Sequence, residues 1–584
     1  MAILMVLFST CLSVVLGGDQ NLKYTPIVKT LTGPVQGKVM SFKDGEANYF
    51  LGIPYAQPPT GDLRFQDPRP VTAWTDVLKA TEISDSCMQP RLSLYYVRRS
   101  ISEDCLYLNV ITPANALSDK SKKRPVLISI LHNDFLTLSG NDEIDIKSKL
   151  VRQQDIILVT PNVRLGFFGY AYTKEDDGSL NGNYGLMDEN MAIRWVKQNI
   201  DKFGGDPDSI TLRGQGSGAR NVRAHIISPY GRGLAKNAIV ESQVLFEPGI
   251  NVNQRVDLST KIVLKRVGCY DVKDRIKCLS DVDGEKLVSA TPERFVPFSP
   301  VLESDYLPIP DGLVAVENAN DVNLLMGYNK DDSSLALAID APETFADAQL
   351  TLEDAQDIVS IFVDSNSAKE VLQLFLDGND KKLSIRKLQR ALIDFVNFIA
   401  FSCKIYLVAE ATAENENLKK GVYTFIFDHK PATSEYPICD LDEELGICFR
   451  SEQPFIYGEP FDDPYFYSDK DRKVSEYMMN IVGTFMRTGR PPMTNGKEWP
   501  NWNDPKSKKP NVGSLVIESS LSGMIDRKDP EFCLKNWNYV NSTLLDKYYV
   551  LDLYKMEKQA KVDKKSSYDG HLYSSIEYGL YQEY

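Results

Sequence analysis

The residues with the clearest chemical spacing are Gly214-Gln215-Gly216-Ser217-Gly218, which follow the short apolar run Ile210-Thr211-Leu212 and precede a helical stretch. Strand, glycine-flanked turn and helix make up a nucleophile elbow, in which a serine is held on a turn so tight that only glycines fit around it. Its chemistry is acyl transfer: the serine attacks a carbonyl carbon while a histidine takes its proton. Here Gly214 and Gly218 stand at the two ends, and Gly216 stands where the serine belongs. With no side chain, Gly216 cannot form an acyl-enzyme. Ser217 is the adjacent alternative, yet taking it as nucleophile moves the flanking positions to Gln215 and Ala219 and loses both glycines. Capping the following helix is its plainer role. The chain has only four histidines: His132, His225 in the elbow's own helix, His429 after a strand phrase, and His571 near the C-terminus.

An elbow needs a sheet behind it. Pro125–Leu131 and Asp155–Thr160 are short, β-branched apolar runs of the kind that form buried parallel strands. Between Asn183 and Phe203 the spacing of Leu186, Met187, Ala192, Ile193, Trp195, Val196 and Ile200 predicts an amphipathic helix. Ile210–Leu212 and the helix from Ser217 come next, then strand candidates Asn323–Gly327 and Val422–Phe427, separated by helical stretches such as Ser384–Ala409. Alternating strands and helices predict an α/β fold with a large, mostly parallel central sheet flanked by helices. The alternation from Ile27 through Gly37 predicts a hairpin ahead of it.

With 584 residues, 43% of them apolar and 25% charged, the chain has the make-up of a globular protein with a large core. A net charge of -14 opposes binding to nucleic acid or anionic lipid. Residues 1–18, apolar and ending in Gly17-Gly18, are expected to be a secretory signal peptide. No later run reads as long enough to span a bilayer, so an extracellular location is expected. Once Cys11 leaves with the signal, eight cysteines remain, an even number that favours disulfides over metal sites; Cys269 with Cys278 and Cys87 with Cys105 are close enough to close loops. No cofactor or metal motif is found. Asn541-Ser542-Thr543 is a sequon for glycosylation. Residues 19–545 read as one domain. Residues 546–584 read as a charged tail whose Tyr568, Tyr573, Tyr578, Tyr581 and Tyr584, beside acids such as Asp569, Glu577 and Glu583, make a solvated end or a docking segment open to sulfation.

Longer phrases are more specific. Phe50-Leu51-Gly52-Ile53-Pro54-Tyr55-Ala56, Leu63-Arg64-Phe65, Ser102-Glu103-Asp104-Cys105-Leu106-Tyr107-Leu108-Asn109-Val110, Arg164-Leu165-Gly166, Gly182-Asn183-Tyr184-Gly185-Leu186-Met187-Asp188 and Phe203-Gly204-Gly205-Asp206-Pro207 resemble the type-B carboxylesterase and cholinesterase family from about Lys29 to Trp537. That resemblance implies an α/β-hydrolase fold and the bridges Cys87–Cys105, Cys269–Cys278 and Cys403–Cys533. Cys439 and Cys448 are left over, either paired with each other or free.

The resemblance also assigns positions to the triad. Asn329-Lys330-Asp331-Asp332-Ser333 puts Asp332 at the acid. Gly446-Ile447-Cys448-Phe449-Arg450-Ser451-Glu452 puts Phe449 where the family has its histidine, and phenylalanine moves no proton. Ile130-Leu131-His132-Asn133-Asp134-Phe135 replaces three oxyanion-hole glycines with His132, Asn133 and Asp134. The expected protein is therefore a secreted, non-catalytic member of the group that binds an extracellular protein or matrix partner. Two alternatives stand beside it: an ester hydrolase using displaced residues, Ser217 first among them, and a carrier holding an apolar ligand in the former active-site gorge.

Overall fold

The computed structural model describes residues 23–544 apart from 91–99, 143–147, 175–179, 243–251, 292–297, 310–318, 341–349, 377–383, 435, 442–444, 505 and 507–509. The expected signal peptide and tyrosine-rich tail lie outside the described residues.

Eleven strands form the central sheet: β1 (Lys38–Phe42), β2 (Gly45–Pro54), β3 (Tyr107–Pro113), β4 (Arg124–Ile130), β5 (Ile157–Pro161), β6 (Gly205–Gln215), β7 (Asn237–Glu241), β8 (Asn323–Asn329), β9 (Val422–Asp428), β10 (Ser514–Glu518) and β11 (Ile525–Asp526). Their order across the sheet is β11-β10-β9-β8-β7-β6-β4-β5-β3-β2-β1. From β10 to β5 every neighbouring pair is parallel, and the pairs at both flanks are antiparallel. The mostly parallel sheet expected from the sequence is present, and the Ile27 hairpin appears as Val28–Lys29 paired with Pro34–Gln36.

The parallel block is buried on both faces, as its unbroken apolar runs require. Side chains alternate across the pleat: Val126, Ile128 and Ile130 of β4, with Ile210 and Leu212 of β6, enter one core, while Leu127, Ile239, Leu325 and Phe425 enter the other. Each such side chain contributes roughly 1.5–3 kcal/mol relative to exposure. Helix α1 (Tyr184–Asn199) lays Ala192, Ile193, Trp195 and Val196 on the first core, on the spacing read from sequence. Helix α2 (Ser217–Ile227) follows β6 directly and packs on β6 and β7.

The phrases that carried the resemblance hold loops together. Arg64 pairs with Glu103 at 2.5 Å, and Arg164 grips Asp188 in a two-pronged contact of 2.8 and 2.7 Å.

Residues Ile385–Glu414 form one continuous helix: α3 (Ile385–Asn397), a π-helical turn at Phe398–Ser402, and α4 (Cys403–Glu414). The sequence reading found no apolar run long enough to span a bilayer, but this helix is long and apolar enough by length and composition. Its most apolar window is 78% buried inside the molecule, the burial of a core helix. Its polar residues are spaced around an apolar face, so no uninterrupted apolar run announced it.

Candidate functional site

β6 runs between β4 and β7, with Gly214 level with Ile130 on one side and Val240 on the other. The chain then turns through Gly216, at φ 56° and ψ −121°, straight into α2. An L-residue in such a conformation carries strain of order 1–3 kcal/mol, which glycine avoids. The flanking glycines are needed for a different reason. A Cβ on Gly214 would lie 2.3 Å from the Gly218 carbonyl carbon, and one on Gly218 would lie 2.6 Å from the Ile130 oxygen. The elbow's backbone is therefore intact at the position where its serine was expected.

The expected base position faces it. A Cβ on Gly216 would meet Cζ of Phe449 at 2.9 Å. The Phe449 ring also contacts Phe401, 6.3 Å away between centroids, on the π-helical turn. The loop carrying Phe449 is tied to the acid loop: Asp331 N donates to Ile447 O at 3.1 Å, and Ile447 N donates to Asp331 Oδ2 at 2.8 Å. A disulfide joins Cys439 to Cys448 beside Phe449, settling the pairing that the sequence left open, and Cys87–Cys105, Cys269–Cys278 and Cys403–Cys533 are bonded as the resemblance implied. No group of three or more metal-binding side chains occurs among the described residues.

Asp332 is buried and accepts hydrogen bonds from the Asn329 backbone N–H at 3.1 Å and from Asn329 Nδ2 at 2.9 Å. Burial, reinforced by the neighbouring Glu452 carboxylate, pushes its pKa well above the usual range. Beneath the elbow, Glu452 accepts from Gln215 Nε2 at 2.8 Å and from Asn329 Nδ2 at 2.5 Å. Arg213, fully buried in β6, pairs with Glu241 at 2.6 Å and donates to Gln453 and Tyr457. Elbow, acid loop and Phe449 loop are thus one hydrogen-bonded block.

The oxyanion segment departs most from expectation. Asp134 keeps a left-handed backbone, φ 49°, at a position where the resemblance implies glycine; it is exposed, with Oδ2 3.4 Å from Asn133 Nδ2. His132 lies against the start of the helix that leaves the elbow. Its buried ring turns inward, with Nδ1 2.8 Å from Ser217 Oγ and Nε2 3.0 Å from Asn221 Nδ2. Ser217 Oγ also lies 3.1 Å from the His132 carbonyl oxygen, and His132 Nε2 lies 3.5 Å from Glu189 Oε1. The sequence reading made Ser217 a helix cap; Gly216 is the N-cap, and Ser217, the first helical residue, ties α2 to the oxyanion segment instead. The reason is geometric: a cap precedes the first turn, and the elbow places Gly216 there. Beyond Asn221 the polar chain continues to Glu189, which accepts from Asn221 Nδ2 and His225 Nε2 at 2.7 Å each. Burial opposes ionisation of Glu189, but the hydrogen bonds from His132 and His225 outweigh it and hold its pKa below the usual value. Nothing in the sequence spacing signalled that network, because its members lie on three separate segments.

The chain matches the carboxylesterase family over residues 24–529. The chain belongs to the carboxylesterase family. It is 30% identical to a cholinesterase of Mus musculus over 82% of each chain, and 28% identical to an acetylcholinesterase of Bungarus fasciatus over 89% of this chain and 88% of that one. It is also 29% identical to a bile salt-activated lipase of Homo sapiens over 85% of this chain and 66% of the lipase. The α/β-hydrolase fold of this carboxylesterase family member agrees with the eleven-stranded mixed sheet. Asn541, the sequon residue, lies exposed in the last turn of the helix Lys528–Thr543.

Proposed function

We propose that this member of the carboxylesterase family is a secreted, non-catalytic protein of the glutactin type that acts by binding an extracellular protein or matrix partner. The observation that carries this reading is the facing of Gly216 and Phe449, with 2.9 Å between a Cβ on the first and Cζ of the second. A side chain at the first position presses on the Phe449 ring, and that ring neither accepts nor donates a proton. Four disulfides fit an oxidising compartment and so support export. The exposed aromatics Tyr465 and Phe466 are of the kind that anchor protein contacts. Turnover of short-chain aryl esters tests the reading: none is expected from the elbow, and turnover abolished by an organophosphate bound at Ser217 would sink it.

A second reading, an apolar-ligand carrier, is favoured by the Phe449 ring that faces the elbow in place of an ionisable group, with Phe401 packed against it. Native mass spectrometry tests it, and a chain that carries no apolar adduct after purification from a lipid-containing medium would reject it.

A further inference from the structure

A second serine, remote from the elbow, also meets a histidine, and the far nitrogen of that histidine is hydrogen-bonded directly to a carboxylate. β9 and β10 are parallel, with Asp428 level with Glu518, so the residues that follow them, His429 and Ser519, stand side by side at the end of the sheet where the elbow also lies. His429 Nδ1 is 2.7 Å from Ser519 Oγ, and His429 Nε2 is 2.7 Å from Asp471 Oδ1. Asp471 and His429 are buried, whereas Ser519 is exposed.

The direction of each hydrogen bond follows from the acid. Asp471 is the third residue of the helix α5 (Asp469–Thr488), and its Oδ2 accepts from the Ser468 backbone N–H and hydroxyl, both at 2.6 Å. Burial raises its pKa, but hydrogen bonds from His429 and Ser468 outweigh that and hold it below the usual carboxylate value. An ionised Asp471 accepts from Nε2–H, which fixes the proton on Nε2 and leaves a lone pair on Nδ1. The Ser519 hydroxyl therefore donates to His429 Nδ1. The edges of Phe427 and Phe455, with ring centroids 6.1 and 5.1 Å from His429, lock the imidazole in that orientation.

We infer that Ser519, His429 and Asp471 form a second nucleophilic site, which accepts an acyl or phosphonyl group from a small, activated ester. Ser519 Oγ attacks the electrophilic centre and forms the new O–C or O–P bond as its proton passes to His429 Nδ1. The bond to the leaving group then breaks, and the departing oxygen or fluoride takes the proton from His429. Asp471 touches no reacting atom; it is the positioning residue. The exposure of Ser519 restricts the site to donors reactive enough to need little binding energy.

The inference goes beyond the proposed function, and a single experiment separates the two. The full chain is treated with a fluorophosphonate probe, and adducts are located by peptide mass spectrometry in the wild type, Ser519→Ala, Ser520→Ala and His429→Gln, with a thermal midpoint for each. An adduct on Ser519 is expected, lost in Ser519→Ala and unchanged in Ser520→Ala. In His429→Gln its rate should fall about 100-fold or more, the usual loss when a general base is removed. Ser519 labelled no faster than Ser520, or unchanged in folded His429→Gln, would overturn the inference and leave the elbow reading intact. An adduct on Ser217 would instead overturn the elbow reading.

Discussion

Gly216 and Phe449 face each other across the elbow so closely that a Cβ on the glycine would lie 2.9 Å from the tip of the phenyl ring. Glycine suits both the positive φ of the turn and the space that the ring leaves. The two positions fit each other, which is what a turn kept for structure requires.

Gly216→Ser should therefore fail to create an esterase and should destabilise the chain by about 2 kcal/mol through backbone strain and the clash. Adding Phe449→His should recover part of that loss, because an imidazole edge is smaller. Denaturant midpoints of the single and double variants measure both effects, and a single variant as stable as the wild type would contradict the packing described.

The flanking glycines should tolerate change even less. Gly214→Ala and Gly218→Ala drive a methyl group onto backbone atoms at 2.3 and 2.6 Å, which cannot rotate away as a side chain can. Each should cost about 3 kcal/mol, and a drop in soluble yield or midpoint below that of Gly216→Ser is the expected result.

Eight described cysteines form four bridges. Alkylation of the unfolded, unreduced chain should add no mass at any of them. Opening Cys439–Cys448 with Cys439→Ser and Cys448→Ser should cost about 2–4 kcal/mol and loosen the loop that carries Phe449, read as faster amide exchange at Ile447.

Burial, with Glu452 adding to it, pushes the Glu241 pKa up to about 8, although Arg213 lies 2.6 Å away and pulls it down. A carboxylate raised on folding binds its proton more tightly in the folded state, so its contribution to stability is complete below about pH 4.5 and is lost as pH rises through about 8. The urea midpoint of the wild type should fall relative to Glu241→Gln across that window. A wild-type advantage that grows with pH would show that the Arg213 pair dominates instead.

The sequence made β4, α1 and the elbow legible because each rests on local pattern: an unbroken apolar run, a helical spacing, a glycine triplet. Gly216 was marked by spacing alone, while Asp332 and Phe449 needed the family phrases. Tertiary contacts were not legible. Ser217 meets His132 across 85 residues, and His429 meets Asp471 across 42 and Ser519 across 90, so no window of sequence holds either group. Ser217 was misassigned for the same reason: its partner is remote, whereas the capping rule sees only neighbours. The strand β2 escaped because Gly45, Glu46 and Asn48 interrupt its apolar alternation.

The central claim is that the elbow of this carboxylesterase family member joins strand to helix and performs no acyl transfer. The most direct measurement is hydrolysis of a short-chain aryl ester by the Ser519→Ala chain, with and without an organophosphate, so that the second serine cannot contribute. The expected rate is that of the ester in buffer, with no adduct on the peptide spanning Gly214–Arg220. Turnover above that rate, stopped by the organophosphate with an adduct on Ser217, would contradict the account.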